Sequence, residues 1–359
     1  MDFSITQDQK MMQDSLSRTL SDSVPLDRVR RYAGDPADAG ADIWSAIADF
    51  GLAGVVTPEA HGGLGLTLLD AALAAQALGR AVTPGPFLGG VAAAIALNEA
   101  GSADQQTRWS PKLASGEVTA GLAISEPVAG ARDGAGVTAA GGKLTGKALF
   151  VTDALTADLF VVADRGGNLH LVRADAAGLT RAAMTTIDQT RRVGELTFHE
   201  TPAEPLGGPG TLARLRDAAW VLLAADSLGA CEVMIEKAVD YAKERRQFGR
   251  VIGSFQAVKH MCAEMAAELE PCRALVWYAA YAFDEARDES SLTAAHAKAH
   301  TSEIGRFVAR TATEVHGGMG ITDLLGLHFW FKRVGLNRQL LGGPERVRRL
   351  AAQIQGLAA

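Results

Sequence analysis

The hydrophobic pattern changes its period twice along the chain, and this constrains the fold more than any other feature. From Thr6 to about Val118, apolar residues recur at the i, i+3, i+4 spacing of amphipathic helices. From Thr119 to Pro209 they alternate with period two between glycine-rich turns, which is typical of strands. Helical spacing then returns and continues. We therefore predict an α+β multidomain fold with an N-terminal helical domain (residues 1–118), a middle antiparallel β domain (119–209) and a C-terminal four-helix bundle (210–359).

The individual helices can be placed from caps and breakers. Thr6 and Gln9 form a capping box before the first apolar stripe. In the C-terminal part, long helices are predicted over Leu212–Arg246, Phe255–Asp284 and Leu292–Val315, followed by a shorter one from Pro344. This is the pattern of a helical bundle.

The strands of the middle segment suggest a sheet with one solvated face. Leu169 and Leu171 flank His170, and Leu196 and Phe198 flank Thr197 in the same alternating way. Polar residues between apolar ones are typical of an antiparallel sheet that packs on one side only.

Charge and cysteine usage restrict the class of protein. A net charge of -6 argues against nucleic acid as a partner, because such binding needs a basic face. The apolar stretch Ala218–Gly229 contains Asp226 and is too short for a membrane span. The N-terminus has no secretory pattern, and Cys231, Cys262 and Cys272 lack ligand spacing, so we expect reduced thiols in a cytoplasmic protein.

Generic catalytic and metal motifs are not supported. His296 and His300 lie at i, i+4, but Ala297 stands where a zincin helix needs glutamate, so no metal site is expected. The glycines from Gly62 to Gly65 neither follow a strand nor precede a Lys-Ser/Thr pair, which disfavours a nucleotide-binding loop.

Two C-terminal segments carry ligand-binding chemistry. Tyr241–Gly249 ends a helix in a cluster of cations, and Gln256 follows at the start of the next helix. Guanidinium groups fit phosphate oxygens, although cations also favour helix ends for structural reasons. The second segment, Glu314–Gly320, has three glycines in four positions, which allows a flat or anionic ligand to approach the backbone.

With these motifs in place, the chain resembles the acyl-CoA dehydrogenase family from end to end. The resemblance includes the opening Phe3–Gln9, the turn Pro58–Gly65 and the β-domain signature Ile124–Gly130. It also includes Arg245–Gly249 with Gln256, and His316–Gly320. The resemblance implies FAD as cofactor, an acyl-CoA thioester as substrate, an electron-transfer flavoprotein or similar electron acceptor, and a tetramer built as a dimer of dimers. It implies a role in fatty acid or steroid degradation.

The resemblance also implies which residues hold FAD. Ser125 and Thr152 would hydrogen-bond the isoalloxazine, and Phe150 would stack on one of its faces. Such groups orient the ring and stabilise its reduced anion.

The partner's FAD would be held by a different set of residues of this chain. Arg245 and Gln256 would bind its pyrophosphate, Phe248 would pack beside it, and Gly317 and Gly318 would lie along it. Two departures from the family pattern weaken the FAD site. Ala131 stands where a serine is expected, and Glu314 stands where a glutamine is usual.

The family's catalytic base is missing. One class carries the glutamate at the position of Gly342, and another carries it at Ala219, which is followed here by Trp220 instead of arginine. The Gly342 N–H remains as a donor to a thioester oxygen. Asp226, two helical turns from Ala219, and Glu345, three residues past Gly342, are candidate substitutes, although both also suit structural roles. Small residues at Gly342 and Ala219 suggest room for a branched or polycyclic acyl group.

Three functions remain open. The chain is either a working FAD-dependent acyl-CoA dehydrogenase with a displaced base, or the non-catalytic subunit of an α2β2 acyl-CoA dehydrogenase whose partner supplies the glutamate. The third alternative is a non-catalytic binding protein on the same fold, as in DNA-damage-associated relatives, which the acidic composition disfavours.

Overall fold

The computed structural model describes residues 4–358. Phe3 of the opening motif, and Met1 and Ala359 at the ends of the predicted domains, lie outside the described residues. Helices, two sheets and then long helices follow one another as predicted, so the fold class is confirmed.

The N-terminal part is helical. The Thr6–Gln9 capping box is present, with both reciprocal hydrogen bonds made. The same device starts two later helices at Thr67 and Ser102. The helices are α1 (Gln7–Ser23), α2 (Leu26–Gly34), α3 (Ala41–Asp49), α4 (Leu68–Arg80), α5 (Phe87–Ala100) and α6 (Ala103–Ala114).

Two four-stranded sheets form the middle part. Their strands are β1 (Ala120–Ala123), β2 (Gly136–Ala140), β3 (Lys143–Thr152), β4 (Leu159–Ala163), β5 (Leu169–Arg173), β6 (Leu179–Met184), β7 (Val193–Pro202) and β8 (Glu204–Gly207), with a short helix α7 (Ser125–Ala129) after β1. The strand orders are β1-β4-β5-β8 and β2-β3-β7-β6, and an apolar core lies between the sheets. All pairings are antiparallel except β1 with β4, which is parallel.

The expectation of one solvated face holds for only one sheet. In β6–β7, side chains such as His199 reach solvent. In β4 and β5, both faces are buried, and His170 is only 8% exposed, with its Nε2 3.2 Å from the Asp164 carboxylate. The second face of this sheet packs against the helices, so the alternation of apolar and polar residues along its strands does not indicate a solvent-exposed face.

The C-terminal part is a helical bundle. A short hairpin joins the first two of its three long helices, and two shorter helices follow the third: α8 (Pro209–Glu244), β9 (Arg246–Gln247), β10 (Arg250–Val251), α9 (Gln256–Glu285), α10 (Arg287–His316), α11 (Leu327–Gln339) and α12 (Pro344–Ile354). Helix α11 was not predicted, because Arg333 and Asn337 interrupt its apolar pattern and are nevertheless buried. By length and composition α8 resembles a membrane span, but 83% of its most apolar window is buried inside the protein, as in a core helix.

Helices α4 and α8 pack with their backbones in direct contact, and each has a glycine at the crossing point. A Cβ added at Gly79 would lie 2.0 Å from the Asp226 carbonyl oxygen, and one at Gly229 would lie 2.0 Å from the Gln76 carbonyl oxygen. Both positions are in helices, where alanine is otherwise preferred. Close packing therefore requires glycine at this crossing, and the crossing fixes the N-terminal domain on the bundle.

We expect Gly79→Ala to lower the free energy of unfolding by about 1–3 kcal/mol, because backbone must move to admit the methyl group. Denaturant unfolding measures the change. Gly90→Ala in α5 is the matched control, since a Cβ there meets nothing within 4 Å. The control should leave stability unchanged or raise it by up to about 1 kcal/mol. Equal effects at the two positions would contradict the packing argument.

Candidate active site

A cavity of about 360 Å³ lies where the end of β1, the end of β3 and the loop after α11 meet. We call it the Ser125 cavity. Its lining residues come from α7 and the loop after it, from β3, and from the end of α11 with the loop that follows: Ser125, Glu126, Ala129, Gly130, Arg132, Leu149, Phe150, Leu336, Gln339, Leu340, Leu341, Gly342 and Gly343. The structure thus brings together the predicted flavin residues Ser125 and Phe150 and the predicted base position Gly342.

The backbone around the cavity is strained at several positions. Phe150 has φ 55° and Leu341 has φ 59°, values that side chains of this size rarely adopt. Gly342 has φ 106°, a conformation available essentially to glycine alone. Strained backbone tends to occur at functional sites, where the surrounding structure holds it in place.

The polar groups of the cavity include one without a partner. The Ser125 side chain is buried, and its Oγ makes no hydrogen bond within residues 4–358. A buried hydroxyl without a partner is costly, so this atom is suited to a ligand. The Phe150 ring also faces the cavity, with the Arg132 guanidinium 4.5 Å from the ring centroid.

Thr152 differs from the prediction in its placement. It is buried and is not among the residues lining the Ser125 cavity. Its Oγ1 accepts a hydrogen bond from the Leu122 N–H at 3.1 Å, which leaves its own proton for another acceptor. In this structure Thr152 therefore ties β3 to β1.

The remaining predicted FAD residues form a separate cluster at the C-terminal ends of α8 and α10. The Tyr241 and His316 rings pack with centroids 4.7 Å apart, which brings the segments of Arg245 and Gly317 to the same end of the bundle. Phe248 is 92% exposed at the tip of the β9–β10 hairpin, and Gln256 is exposed at the first position of α9.

The surface of this cluster is open. A Cβ at Gly317 or Gly318 would meet nothing within 4 Å, so the backbone there is accessible to a large ligand. None of Arg245, Phe248, Gln256, Gly317 and Gly318 lines the Ser125 cavity. A highly exposed phenyl ring is typical of a surface that contacts another molecule.

Neither predicted base position carries a proton acceptor. Gly342 has no side chain, and its N–H donates to the Gln339 carbonyl at 3.1 Å, so the expectation that this N–H is free for a thioester oxygen is wrong. Ala219 is completely buried. Trp220 beside it donates from Nε1 to the Leu341 carbonyl at 2.8 Å and holds the loop that contains Gly342.

Asp226 is an ion-pair partner, so its proposed role as a substitute base is corrected. Its Oδ2 lies 2.9 Å from an Arg191 nitrogen and 3.1 Å from an Arg333 nitrogen, and its Oδ1 accepts from Asn337 Nδ2 at 2.6 Å. Burial opposes ionisation, but the two arginines and the amide outweigh it and lower the carboxyl pKa. A carboxylate with both oxygens engaged and a lowered pKa is a poor proton acceptor.

Glu345 is not a base either. Its side chain is 74% exposed in the first turn of α12 and pairs with Arg338 at 3.1 Å. Its pKa is lowered, chiefly by a backbone N–H bond at the helix start. It has the structural role that its position suggested.

Glu126 is the carboxylate that sequence reasoning missed. It is the only carboxylate among the residues that line the Ser125 cavity. Burial raises its pKa, and its Oε1 accepts from the Leu149 N–H at 2.7 Å. Nothing in the sequence distinguishes it from an exposed polar residue, because its burial depends on α7 folding back onto β3.

We expect Asp226→Asn to destabilise the protein by about 3–5 kcal/mol, because it leaves Arg191 and Arg333 buried without their common counter-charge. Thermal or denaturant unfolding measures this. Asp240→Asn on the same helix is the matched control, since Asp240 forms an exposed pair with Lys243 and should contribute about 0–1 kcal/mol. Unchanged stability of Asp226→Asn would contradict the structural assignment.

A second buried carboxyl predicts a pH dependence. Burial raises the pKa of Asp153 from 3.8 to about 7, against the attraction of Arg191 and Arg333. The folded state therefore loses stability as pH rises from about 4 to 7, because the unfolded state ionises first. Asp153→Asn should raise the melting temperature more at pH 8 than at pH 5. Asp133→Asn on an exposed turn is the control, and an equal increase at both pH values would refute the assignment.

Comparison with known proteins identifies the family. A model of the acyl-CoA dehydrogenase N-terminal domain matches residues 6–117, and a model of the C-terminal domain matches residues 217–355. The acyl-CoA dehydrogenase IpdE2 of Mycobacterium tuberculosis is 34% identical over 338 residues, covering 91% of this chain and 93% of the relative. IpdE2 of Mycolicibacterium smegmatis is 30% identical over 352 residues, covering 98% of this chain and all of the relative.

Solved structures agree with these matches. A variant of the Tcur3481–Tcur3483 steroid ACAD superimposes with a TM-score of 0.88 at 29% identity, covering 98% of each chain. The ChsE4–ChsE5 complex of Mycobacterium tuberculosis gives a TM-score of 0.91 at 27% identity, covering 100% of each chain. With both family domains matched in order and relatives aligned over nearly the full length, the chain belongs to the acyl-CoA dehydrogenase family.

Proposed function

We propose that this chain is the non-catalytic subunit of a heteromeric, FAD-dependent acyl-CoA dehydrogenase, whose partner subunit supplies the catalytic glutamate. The observation that carries the proposal is Gly342. It lines the Ser125 cavity at the position where the family resemblance places the base, and it offers neither a carboxylate nor a free N–H.

The conformation of Gly342 strengthens this argument. At φ 106° an L-residue is strained whatever the space around it, so the loop has a conformation that disfavours glutamate at this position. The Trp220–Leu341 hydrogen bond holds the neighbouring residue in its own positive-φ conformation. The backbone conformation at the family's usual base position therefore disfavours a glutamate.

The residues present fit FAD. The Ser125 hydroxyl has no hydrogen-bond partner among the described residues, the Phe150 ring forms a wall, and the cavity volume of about 360 Å³ lies in the range of small-molecule sites. When bound, FAD supplies the hydride acceptor for α,β-dehydrogenation of the thioester. Ser125 donates a hydrogen bond to orient it, and Phe150 excludes water from one side.

The second cluster supports a cofactor shared between subunits. Arg245, Phe248 and Gln256 lie outside the Ser125 cavity and face outward, as groups that complete a partner's site must. Glu314 would repel a phosphate there, but Arg310 pairs with it at 2.9 Å and offsets part of its charge. We infer an oligomer in which each chain completes its neighbour's FAD site and electrons pass to an electron-transfer flavoprotein or a similar acceptor.

Relatives favour a bulky substrate. One solved structure with 29% identity is described as a steroid ACAD and pairs two named chains, and the ChsE4–ChsE5 complex also pairs two. We therefore propose a CoA thioester of a polycyclic, steroid-like acid as substrate.

A stand-alone dehydrogenase is the second candidate, and Glu126 is the observation that favours it. Its raised pKa suits a general base, and it lines the same cavity as Gly342. Its Oε1 is already committed to the Leu149 N–H, which favours a structural role for the side chain.

Flavin bleaching separates the two candidates. The chain purified alone should not bleach bound FAD when a steroid-like acyl-CoA is added without oxygen. A complex with a co-purifying family member that carries a glutamate at the position of Gly342 should bleach. Bleaching by the chain alone would contradict the proposal.

Substitution of Glu126 completes the test. In the complex, Glu126→Gln should retain bleaching, because the amide keeps an oxygen for the Leu149 N–H and the partner supplies the base. Replacing the partner's glutamate by glutamine should abolish bleaching, with a rate loss of roughly 10²–10⁴-fold or more. Loss of bleaching with Glu126→Gln, while FAD stays bound, would favour the stand-alone dehydrogenase.

A further inference from the structure

One lysine is buried inside the helical bundle without a counter-charge. Lys298 lies on α10, is 1% exposed, and makes no ion pair with the residues that the structure describes. Lysine is almost never fully buried unless it is paired, because removing an ammonium group from water is costly. Its amino group instead contacts backbone carbonyls, and these contacts indicate what the side chain does.

The amino group of this lysine caps the C-terminal end of α11. The last four carbonyls of a helix have no partner within the helix. In α11, the first and fourth of them accept from the N–H groups of Leu340 and Gly342, at 2.9 and 3.1 Å. The second and third, of Asn337 and Arg338, accept from Lys298 Nζ, the latter at 3.4 Å. We call this pair of hydrogen bonds the Lys298 cap. Within residues 4–358 no other donor reaches these two carbonyls.

The Lys298 cap lies directly before one wall of the Ser125 cavity. That wall is the loop of residues 340–343, which follows α11 and lines the cavity along its whole length. The Trp220 indole holds the loop at the Leu341 carbonyl. The Lys298 cap holds the point at which the loop leaves the helix. The position of the loop in the cavity therefore depends on a buried amine.

The number of acceptors around this amine matches its neutral form. A neutral amine has two N–H groups, whereas an ammonium group has three. Lys298 Nζ donates to two carbonyls, so a third N–H would have no acceptor among the described residues. Burial, together with repulsion by Arg191 and Arg338, lowers the pKa of Lys298 from 10.5 to about 7. The neutral and charged forms are therefore both populated near neutral pH.

The carboxylates of the neighbouring elements do not compensate for the charge of the ammonium form. Asp226 of α8 is paired with Arg191 at 2.9 Å. Glu303 of α10 and Glu345 of α12 are paired with Arg338 at 2.9 and 3.1 Å. Each of them thus binds an arginine and none forms an ion pair with the lysine.

Other titratable groups lie near this network. Burial raises the pKa of Asp153 to about 7, and the same arginines attract its carboxylate. On α9, burial raises the pKa of the Cys272 thiol to about 11. On α10, His296 is exposed and His300 is half-buried. Asp153 affects stability between about pH 4 and 7, whereas the lysine does so between about pH 7 and 10.5, so the two groups can be separated by their pH ranges.

We propose that Lys298 is a positioning residue whose protonation controls the loop of residues 340–343. The neutral amine satisfies both carbonyls at the end of α11 and keeps Gly342 in place in the Ser125 cavity. The ammonium form is disfavoured in this position, so proton uptake promotes any displacement of the helix end that lets water reach it.

The direction of the pH effect follows from the lowered pKa of the lysine. Between about pH 10.5 and 7, an open and hydrated state holds a proton that the closed state lacks. The closed state therefore loses stability as the pH falls through this range. Below about pH 6 both states are protonated and the effect levels off.

Hydrogen–deuterium exchange of the purified chain, corrected for intrinsic chemical rates, tests the proposal. We expect the peptide that contains residues 340–343 to be less protected at pH 7 than at pH 9, by roughly tenfold or more. The loop should also exchange faster than strand β4 at both pH values, because it opens locally. Equal protection of the loop at pH 7 and 9, or exchange no faster than that of β4, would overturn the proposal. This pH series needs no variant.

Three variants locate the effect. Lys298→Met should remove the difference between pH 7 and pH 9, because a thioether cannot take up a proton. Lys259→Met is the matched control, since it removes a lysine from an exposed position on α9, and it should retain the difference. Asp153→Asn should also retain it, because the pH range of that carboxyl ends near 7. A difference that persists in Lys298→Met, or that disappears in Asp153→Asn, would refute the role of the lysine.

The measurement uses neither FAD nor an acyl-CoA. Its outcome is therefore independent of the proposed function. Failure of the flavin to bleach in the complex would count against the proposed function and leave the exchange result standing.

Discussion

The buried ion-pair network around Arg333 holds the three parts of the molecule in register. Arg333 is completely buried on α11 and pairs with Asp188 at 2.9 Å and with Asp226 at 3.1 Å. It also donates to the Thr83 carbonyl at 3.2 Å. One guanidinium group thus joins the segment after α4, the loop between β6 and β7, and the core helix α8. Burial of these charges is tolerated because each is paired and hydrogen-bonded.

The same network positions the candidate active site. Asn337 on α11 bonds Asp226, and the Lys298 ammonium on α10 donates to the Asn337 carbonyl. Burial lowers the Lys298 pKa to about 7, as expected for an ammonium with mainly carbonyl partners. The loop from Leu340 to Gly343 follows directly after α11, so its placement against β1 and β3 depends on these buried polar contacts. The same buried polar contacts therefore determine both the geometry of the candidate site and the packing of the three parts of the chain.

The sequence predicted the larger features and missed those created by tertiary contact. Periodicity and caps located the long helices, and the family resemblance pointed to Ser125 and Phe150, which the structure places in one cavity. Helix α11 was not predicted, because Arg333 and Asn337 have the sequence pattern of surface residues. Their hydrogen-bond partners lie more than 100 positions away in the chain. Asp226 was named as a candidate substitute base beside a structural role, and its arginine partners could not be identified for the same reason. Glu126 and the Lys298 cap also depend on segments that meet only in the folded chain.

The positive φ at Gly342 has a consequence for how this protein can evolve. A mutation of Gly342 to glutamate would place the new residue in a backbone conformation that L-residues rarely adopt. The loop around it is held by the hydrogen bond from the Trp220 indole to the Leu341 carbonyl. A glutamate at this position would therefore be more favourable only if the loop also changed its backbone conformation. Under the proposed function, in which a partner chain supplies the base, each chain depends on the other and loss of either would abolish the activity.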